Sequence, residues 1–258
     1  MRTKKIQLFL LITFATTWIS WWLLSFIKQD DTQIFINPIY FLLFFIGGIA
    51  PTIAAYLTIQ YSDKSFKKFN NTVFKIKVNV WLYIFSVLLI FGVRYLAIWI
   101  YGLFNSPVWS DLSPQFIALI PLTLVMVPLG GLEELGWRGL LLPELTKKLN
   151  FQISALIVGV IWAIWHLPMF FIQGLSHYQS DFLEFSIQTV GLGLVLAWIY
   201  WRTRSVFICV FIHALQNASS SIGLNCPDDG RYITATIWLI IGLGLIIFDR
   251  RKLNINGG

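Results

Sequence analysis

The sequence predicts an all-α fold, a polytopic membrane bundle of about eight transmembrane helices that forms one domain over residues 1–258. Hydrophobic residues make up 57% of the 258 residues and charged residues only 12%, whereas soluble domains carry about 25% charged residues. The mean hydropathy is +0.73, and the apolar residues fall in long runs separated by short polar loops. Such a chain has too little polar surface for a soluble, disordered or disulfide-stapled protein.

Eight apolar runs account for most of the chain, and nearly all approach the roughly 20 residues needed to cross a bilayer. The first run follows a basic N-terminal segment and ends without a small-residue cleavage site, so we expect an uncleaved helix. The fourth run is broken by prolines and glycines and then by charges, so a simple hydropathy count would miss it. The predicted spans are 6–27, 38–60, 79–104, 116–139, 153–173, 183–201, 205–224 and 232–248.

The Lys and Arg residues predict how these spans are oriented. When Arg138 at the end of the fourth span is included, all but three of the 19 cations lie on the side that holds both termini. The exceptions are Lys28, Arg94 and Arg231. Cytoplasmic loops are enriched in Lys and Arg, so we expect a multi-pass cell-membrane protein with both termini cytoplasmic. This distribution of Lys and Arg explains the net charge of +7. We therefore expect the protein to contact the lipid bilayer and to bind no nucleic acid.

Three charged residues interrupt the fourth span, in the segment GLEELGWRG. Charges inside a membrane are energetically costly, so such residues are functional candidates. Glu134 and Arg138 are four residues apart on a helix and can neutralise each other. Glu133 points about 100° away and has no partner on its own helix, so it could act as a general base or acid. The alternative is a structural Glu–Arg clasp with one extra carboxylate in a water-filled crevice.

Two histidines and an asparagine lie within later spans. His166 is near the end of the fifth span, and His213 and Asn217 share one face of the seventh. Each could be a satisfied core residue or an interhelical hydrogen-bonding group. Counted from the basic loops at about 1.5 Å per residue, however, these three side chains and Glu133 fall in the same band of the membrane. A carboxylate, two imidazoles and an amide that converge in one cavity form a hydrolytic set.

The same residues resemble a known family. The segments at 133–138, 162–166 and 213–217 read EExxxR, WxxxH and HxxxN. In order and spacing they resemble the motifs EExxxR, FxxxH and HxxxN of the CAAX prenyl protease and bacteriocin-processing (CPBP, Abi) family, which includes the type II CAAX prenyl endopeptidase. The resemblance covers roughly residues 115–225, which would form the catalytic core. The one departure is Trp162 in place of Phe, which keeps an aromatic wall.

The resemblance implies an intramembrane glutamate endopeptidase of the CAAX-protease type that acts on a membrane-associated peptide or protein, CAAX-type or bacteriocin-like. It implies that Glu133 and His166 activate a water and that His213 and Asn217 form an oxyanion hole. Glu134 and Arg138 would support this site.

Several alternatives stay open at this point. Glu133, His166 and His213 could form a three-ligand zinc site, although the chain has no HExxH motif and we expect no cofactor. Cys209 and His213 are i,i+4 and could form a catalytic dyad, but a cysteine in an apolar helix is typically a small hydrophobe.

Arg94 could pair with the carboxylates or extend outward along its helix. A non-catalytic immunity or scaffold protein and a small transporter are the competing functions; no inverted repeat supports the transporter.

Overall fold

The computed structural model describes residues 2–28, 33–62, 65–105 and 115–249. Within these ranges every regular element is helical, which confirms the predicted all-α membrane bundle. The helices are α1 (Arg2–Ile27), α2 (Pro38–Ser62), α3 (Phe66–Val73), α4 (Val80–Phe104), α5 (Phe116–Leu129), α6 (Gly131–Leu145), α7 (Phe151–Trp165), α8 (Phe182–Thr203), α9 (Val206–Ser221) and α10 (Arg231–Phe248).

All eight predicted runs are helical, but the count of eight complete spans is not confirmed. Among the described residues, six helical segments are long and apolar enough to cross a membrane, with α7 counted together with the short 3-10 helix that follows it, as Phe151–Phe171. The pair α5 and α6, bent by 43°, makes a seventh if it is one span. The remaining run, α9, has 16 residues. It is about 24 Å long, less than the roughly 30 Å of the hydrocarbon core. The short helix α3 was not predicted, because it lies in a Lys-rich loop.

A proline within α2 leaves a backbone carbonyl free, and a chain of hydrogen bonds from this carbonyl connects α2 with α1 and α7. Pro51 has no N–H, so the carbonyl of Gly47 one turn earlier has no partner within the helix. The hydroxyl of Thr17 in α1 donates to this carbonyl at 2.7 Å. The indole N–H of Trp165 in α7 donates to the Thr17 oxygen at 2.8 Å. Because lipid offers no hydrogen bonds, a freed backbone carbonyl in a span needs such a partner.

Close backbone contacts determine the position of α6. A Cβ at Gly131 would lie 2.9 Å from the carbonyl oxygen of Val210 in α9, and a Cβ at Gly136 would lie 2.7 Å from that of Pro51 in α2. Small residues allow helices to approach this closely in membranes. The helix is also irregular, with a π-helical turn at Trp137–Leu141, and such turns frequently occur at functional sites.

Arg94 does not follow either of its predicted alternatives. Its side chain is 5% exposed and reaches from α4 to the C-terminal end of α9. The last carbonyls of a helix have no partner within it, and a cation suits this negative end. The guanidinium donates to the carbonyls of Gln216 (3.2 Å) and Leu224 (3.1 Å), the hydroxyls of Ser219 (2.9 Å) and Ser220 (2.7 Å), and the amide oxygen of Asn225 (2.5 Å).

Candidate active site

The predicted site residues converge on one indole ring, that of Trp162 in α7. Its N–H donates to Oε2 of Glu133 at 2.8 Å. Its ring centroid lies 5.1 Å from that of His213 and 5.7 Å from that of His166. The guanidinium carbon of Arg138 lies 4.7 Å from the same ring. Three elements separated in sequence, α6, α7 and α9, thus bring their polar groups to one point.

Glu133 is the carboxylate without a cationic partner on its own helix, as predicted. It is 5% exposed, and its bond to Trp162 connects α6 to α7. A phenylalanine at position 162 would give the aromatic wall but no donor. The departure from the family motif therefore adds a hydrogen bond that orients Glu133, which the sequence alone did not indicate.

Glu134 binds two partners. Nη1 of Arg138 donates to its Oε1 at 2.9 Å and lies 2.9 Å from its Oε2, which is the predicted i,i+4 pair. Nδ1 of His213 lies 3.0 Å from the same Oε1, a contact that was not predicted. Both Glu134 and Arg138 are 0% exposed. Arg138 also donates to the carbonyl of Gly193 in α8 at 3.1 Å, so the cluster joins α6, α8 and α9.

The hydrogen bonds of His166 determine which of its nitrogens is available. Nδ1 lies 2.8 Å from the carbonyl oxygen of Trp162. Because a carbonyl only accepts, the proton is on Nδ1, and in the neutral ring the Nε2 lone pair can accept a further hydrogen bond. Aromatic rings surround the imidazole, with centroids at 4.6 Å for Trp165, 5.0 Å for Phe185 and 6.4 Å for Trp21.

Gly130 lies between the two polar side chains of α9. A Cβ at this position would be 2.6 Å from Nδ2 of Asn217 and 3.5 Å from Nε2 of His213. The backbone at the break between α5 and α6 therefore borders the same space as the amide and the imidazole. In the sequence Gly130 was noted only as an interruption of the fourth span; the signal for its role was its place immediately before the glutamate motif.

The structure bears differently on the two alternatives, the Cys209–His213 dyad and the zinc site. The thiol of Cys209 is buried and donates to the carbonyls of Ser205 (3.5 Å) and Leu196 (3.6 Å), so the proposed dyad with His213 is wrong. No three His, Cys, Asp or Glu side chains in the described part of the chain are grouped to hold a metal ion, and Nδ1 of His213 is paired with Glu134. This geometry does not support the zinc alternative, and metal independence stays a prediction.

Comparisons with known proteins agree with the resemblance. The family model for Rce1-like type II CAAX prenyl endopeptidases matches residues 113–219. The chain is 25% identical over 263 residues to CAAX prenyl protease 2 of Methanococcus maripaludis (strain S2), covering 95% of this chain and 94% of that protein. It is 27% identical over 103 residues, 39% of this chain and 36% of the relative, to YdiL of Bacillus subtilis (strain 168), whose assignment as a membrane peptidase is provisional. The predicted similarity to CAAX prenyl endopeptidases is confirmed.

We predict a measurable coupling energy between the buried side chains of Glu134 and Arg138. Glu134→Gln and Arg138→Gln should each lower the melting temperature in detergent, because each leaves a buried charge without its partner at a cost of roughly 3–5 kcal/mol. The double variant should recover part of that loss. The matched control is the cycle of Glu144 with Lys147, whose lysine is 43% exposed and which should couple by about 1 kcal/mol or less. Equal melting temperatures for Glu134→Gln and the wild type would refute the buried pair.

Proposed function

We propose that this chain, a multi-pass membrane protein similar to CAAX prenyl protease 2 over almost its whole length, is an intramembrane endopeptidase. Its substrate would be a membrane-associated peptide or protein, and both of its termini would be cytoplasmic. The observation that carries the proposal is the convergence of Glu133, His166 and His213 on the ring of Trp162, with Asn217 beside His213 at Gly130.

In this mechanism Glu133 and His166 hold and activate the attacking water. The Nε2 lone pair of His166 accepts one hydrogen bond from the water and orients it. Glu133 removes the other proton as the water oxygen attacks the carbonyl carbon of the peptide bond. The same proton passes from Glu133 to the amine nitrogen as the C–N bond breaks, so the carboxylate returns to its starting state.

His213 and Asn217 would stabilise the tetrahedral intermediate. Nε2 of His213 and Nδ2 of Asn217 both lie beside Gly130, where two donors can reach one oxyanion. For Nε2 to donate, it must carry a proton in addition to the one shared between Nδ1 and Glu134. Glu134 therefore has a chemical role as well as a structural one, since its carboxylate faces the imidazolium form of His213.

The first test is the loss of the base. Glu133→Gln should reduce turnover by at least 10²–10⁴-fold, as is typical for general-base catalysis. It should cost little melting temperature, because the glutamine oxygen can still accept from the indole N–H of Trp162. Comparing membrane peptides from cells with wild-type and Glu133→Gln protein would reveal the substrate. The control is Glu144→Gln, a buried glutamate at the other end of α6 that pairs with Lys5 and Lys147 and should keep turnover. Full activity in Glu133→Gln would rule out this base, whereas membrane peptides that do not change when the protein is absent would favour a scaffold or transporter.

The second test distinguishes the contribution of the Trp162 indole N–H to catalysis from that of its aromatic ring. Trp162→Phe keeps an aromatic wall but removes the donor to Glu133, and should lower kcat about 10-fold with little change in KM. Trp165→Phe is the matched control, because that indole is also buried and donates to Thr17 instead. It should lower the melting temperature and retain kcat. An equal fall in kcat in both variants would mean that Trp162 acts through packing alone.

The third test concerns the metal. With protein side chains supplying the base and the oxyanion donors, prolonged dialysis against a chelator should leave the activity of the purified protein unchanged. Stoichiometric zinc in the purified protein, with activity lost on its removal and restored on its return, would instead assign Glu133, His166 and His213 as ligands.

A further inference from the structure

A polar cavity of about 420 Å³ lies at the end of the bundle remote from the basic loops. We call this cavity the vestibule. It is formed by the start of α8, the end of α9, the start of α10 and the loops at 172–181 and 222–230. Its lining includes Arg94, His177, Phe185, Gln188, Ser221 and Asn225.

The vestibule extends into the bundle because α9 is short. Arg94 lies ten residues before Phe104, the end of α4, so this part of the wall is about 15 Å below that end. Ser221 is the last residue of α9 and lines the vestibule. Its hydroxyl donates to the carbonyl of Asn217 at 3.3 Å, one helical turn from the vestibule.

Phe185 separates the vestibule from His166. Its ring centroid is 5.0 Å from that of His166 and 5.1 Å from that of His177, which also lines the vestibule. A single aromatic side chain thus stands between the polar cavity and the imidazole proposed to orient water.

The opposite end of the site is closed. Glu134, Trp137, Arg138 and Leu141 are all fully buried, so the half of α6 towards the basic loops leaves no opening. Helix α3 packs over it, since a Cβ at Gly139 would lie 2.9 Å from the ring of Phe69. Among the described residues, the vestibule is thus the polar approach to the site, with the ring of Phe185 between it and His166.

The vestibule has balanced charges. Arg94 and Arg231 are opposed by Glu184 and Asp228. Burial, with a smaller contribution from Arg231, lowers the pKa of His177 to about 4, so this ring is neutral at physiological pH. A balanced polar lining suits a peptide backbone with its donors and acceptors better than a hydrocarbon tail.

We infer that the vestibule is the entrance through which the substrate reaches the site, and that the substrate presents a polar peptide segment on the non-cytoplasmic face. This inference rests on the proposed endopeptidase function and names its substrate class. In the predicted topology the loops on the side of the vestibule, at 28–37, 105–115, 174–182 and 225–231, carry only Lys28 and Arg231 as cations, and loops poor in Lys and Arg face away from the cytoplasm. The substrate is therefore an exported peptide, or an outward-facing segment of a membrane-anchored one.

The experiment measures access without requiring turnover. The sensors are Asn217→Cys and, as a second position in case the first is unstable, Ser221→Cys. Both are made in a Cys226→Ser background, because Cys226 lines the vestibule, while Cys209 is fully buried. Sealed vesicles of each orientation are treated with a cationic, membrane-impermeant methanethiosulfonate. Lys68→Cys, at an exposed position of α3, reports the cytoplasmic side.

The expected result is that both sensors react at least 10-fold faster from the side opposite to Lys68→Cys. Labelling from the same side as Lys68→Cys would overturn the inference. So would reaction only with a lipid-soluble maleimide, because access would then be from the bilayer.

A second arm separates this inference from the proposed function. Attaching a bulky polymer maleimide to Ser221→Cys should abolish the cleavages that depend on Glu133 in the membrane-peptide comparison, and the same polymer at Lys68→Cys should not. Cleavage that persists after the vestibule is blocked refutes the entrance alone. Identical peptides in wild-type and Glu133→Gln membranes refute the proposed Glu133-dependent cleavage, while the labelling still decides the route.

Discussion

One carboxylate, that of Glu134, links most of the site. A buried charge in a membrane is costly unless it is paired, and Glu134 is paired twice, with Arg138 and with His213. Through Arg138 the cluster also reaches the carbonyl of Gly193 and the face of Trp162. These contacts connect four helices, α6, α7, α8 and α9. Because Glu134 is committed to this cluster, the proposed role of base falls to its neighbour Glu133.

The polar groups of the site occur where regular helix is interrupted. The break at Gly130 brings the chain against His213 and Asn217, and the π-helical turn includes Arg138. The early end of α9, stabilised by Arg94, opens the vestibule beside Asn217. In lipid every freed backbone group needs a partner, so each interruption is surrounded by side chains that can supply one.

The sequence predicted the bundle and the site residues because charges within apolar runs are conspicuous, and the Glu134–Arg138 pair followed from helical spacing alone. The contact of Glu134 with His213 spans 79 residues and that of Trp162 with Glu133 spans 29; neither follows from local periodicity. For the same reason Arg94 was left with two alternatives, both wrong. Hydropathy also extended the seventh span to residue 224, since it does not register that α9 ends at Ser221.

The protonation of the histidines tests the central role of Glu134 most directly. The chain has only three histidines, so nitrogen NMR of ¹⁵N-histidine-labelled protein can resolve each ring, with His166→Gln and His213→Gln giving the assignments. We predict protons on both nitrogens of His213, and a proton on Nδ1 but not on Nε2 of His166. The first of these follows from the proposed role of Glu134. An unprotonated Nε2 on His213 would contradict it, because that nitrogen could not donate to an oxyanion.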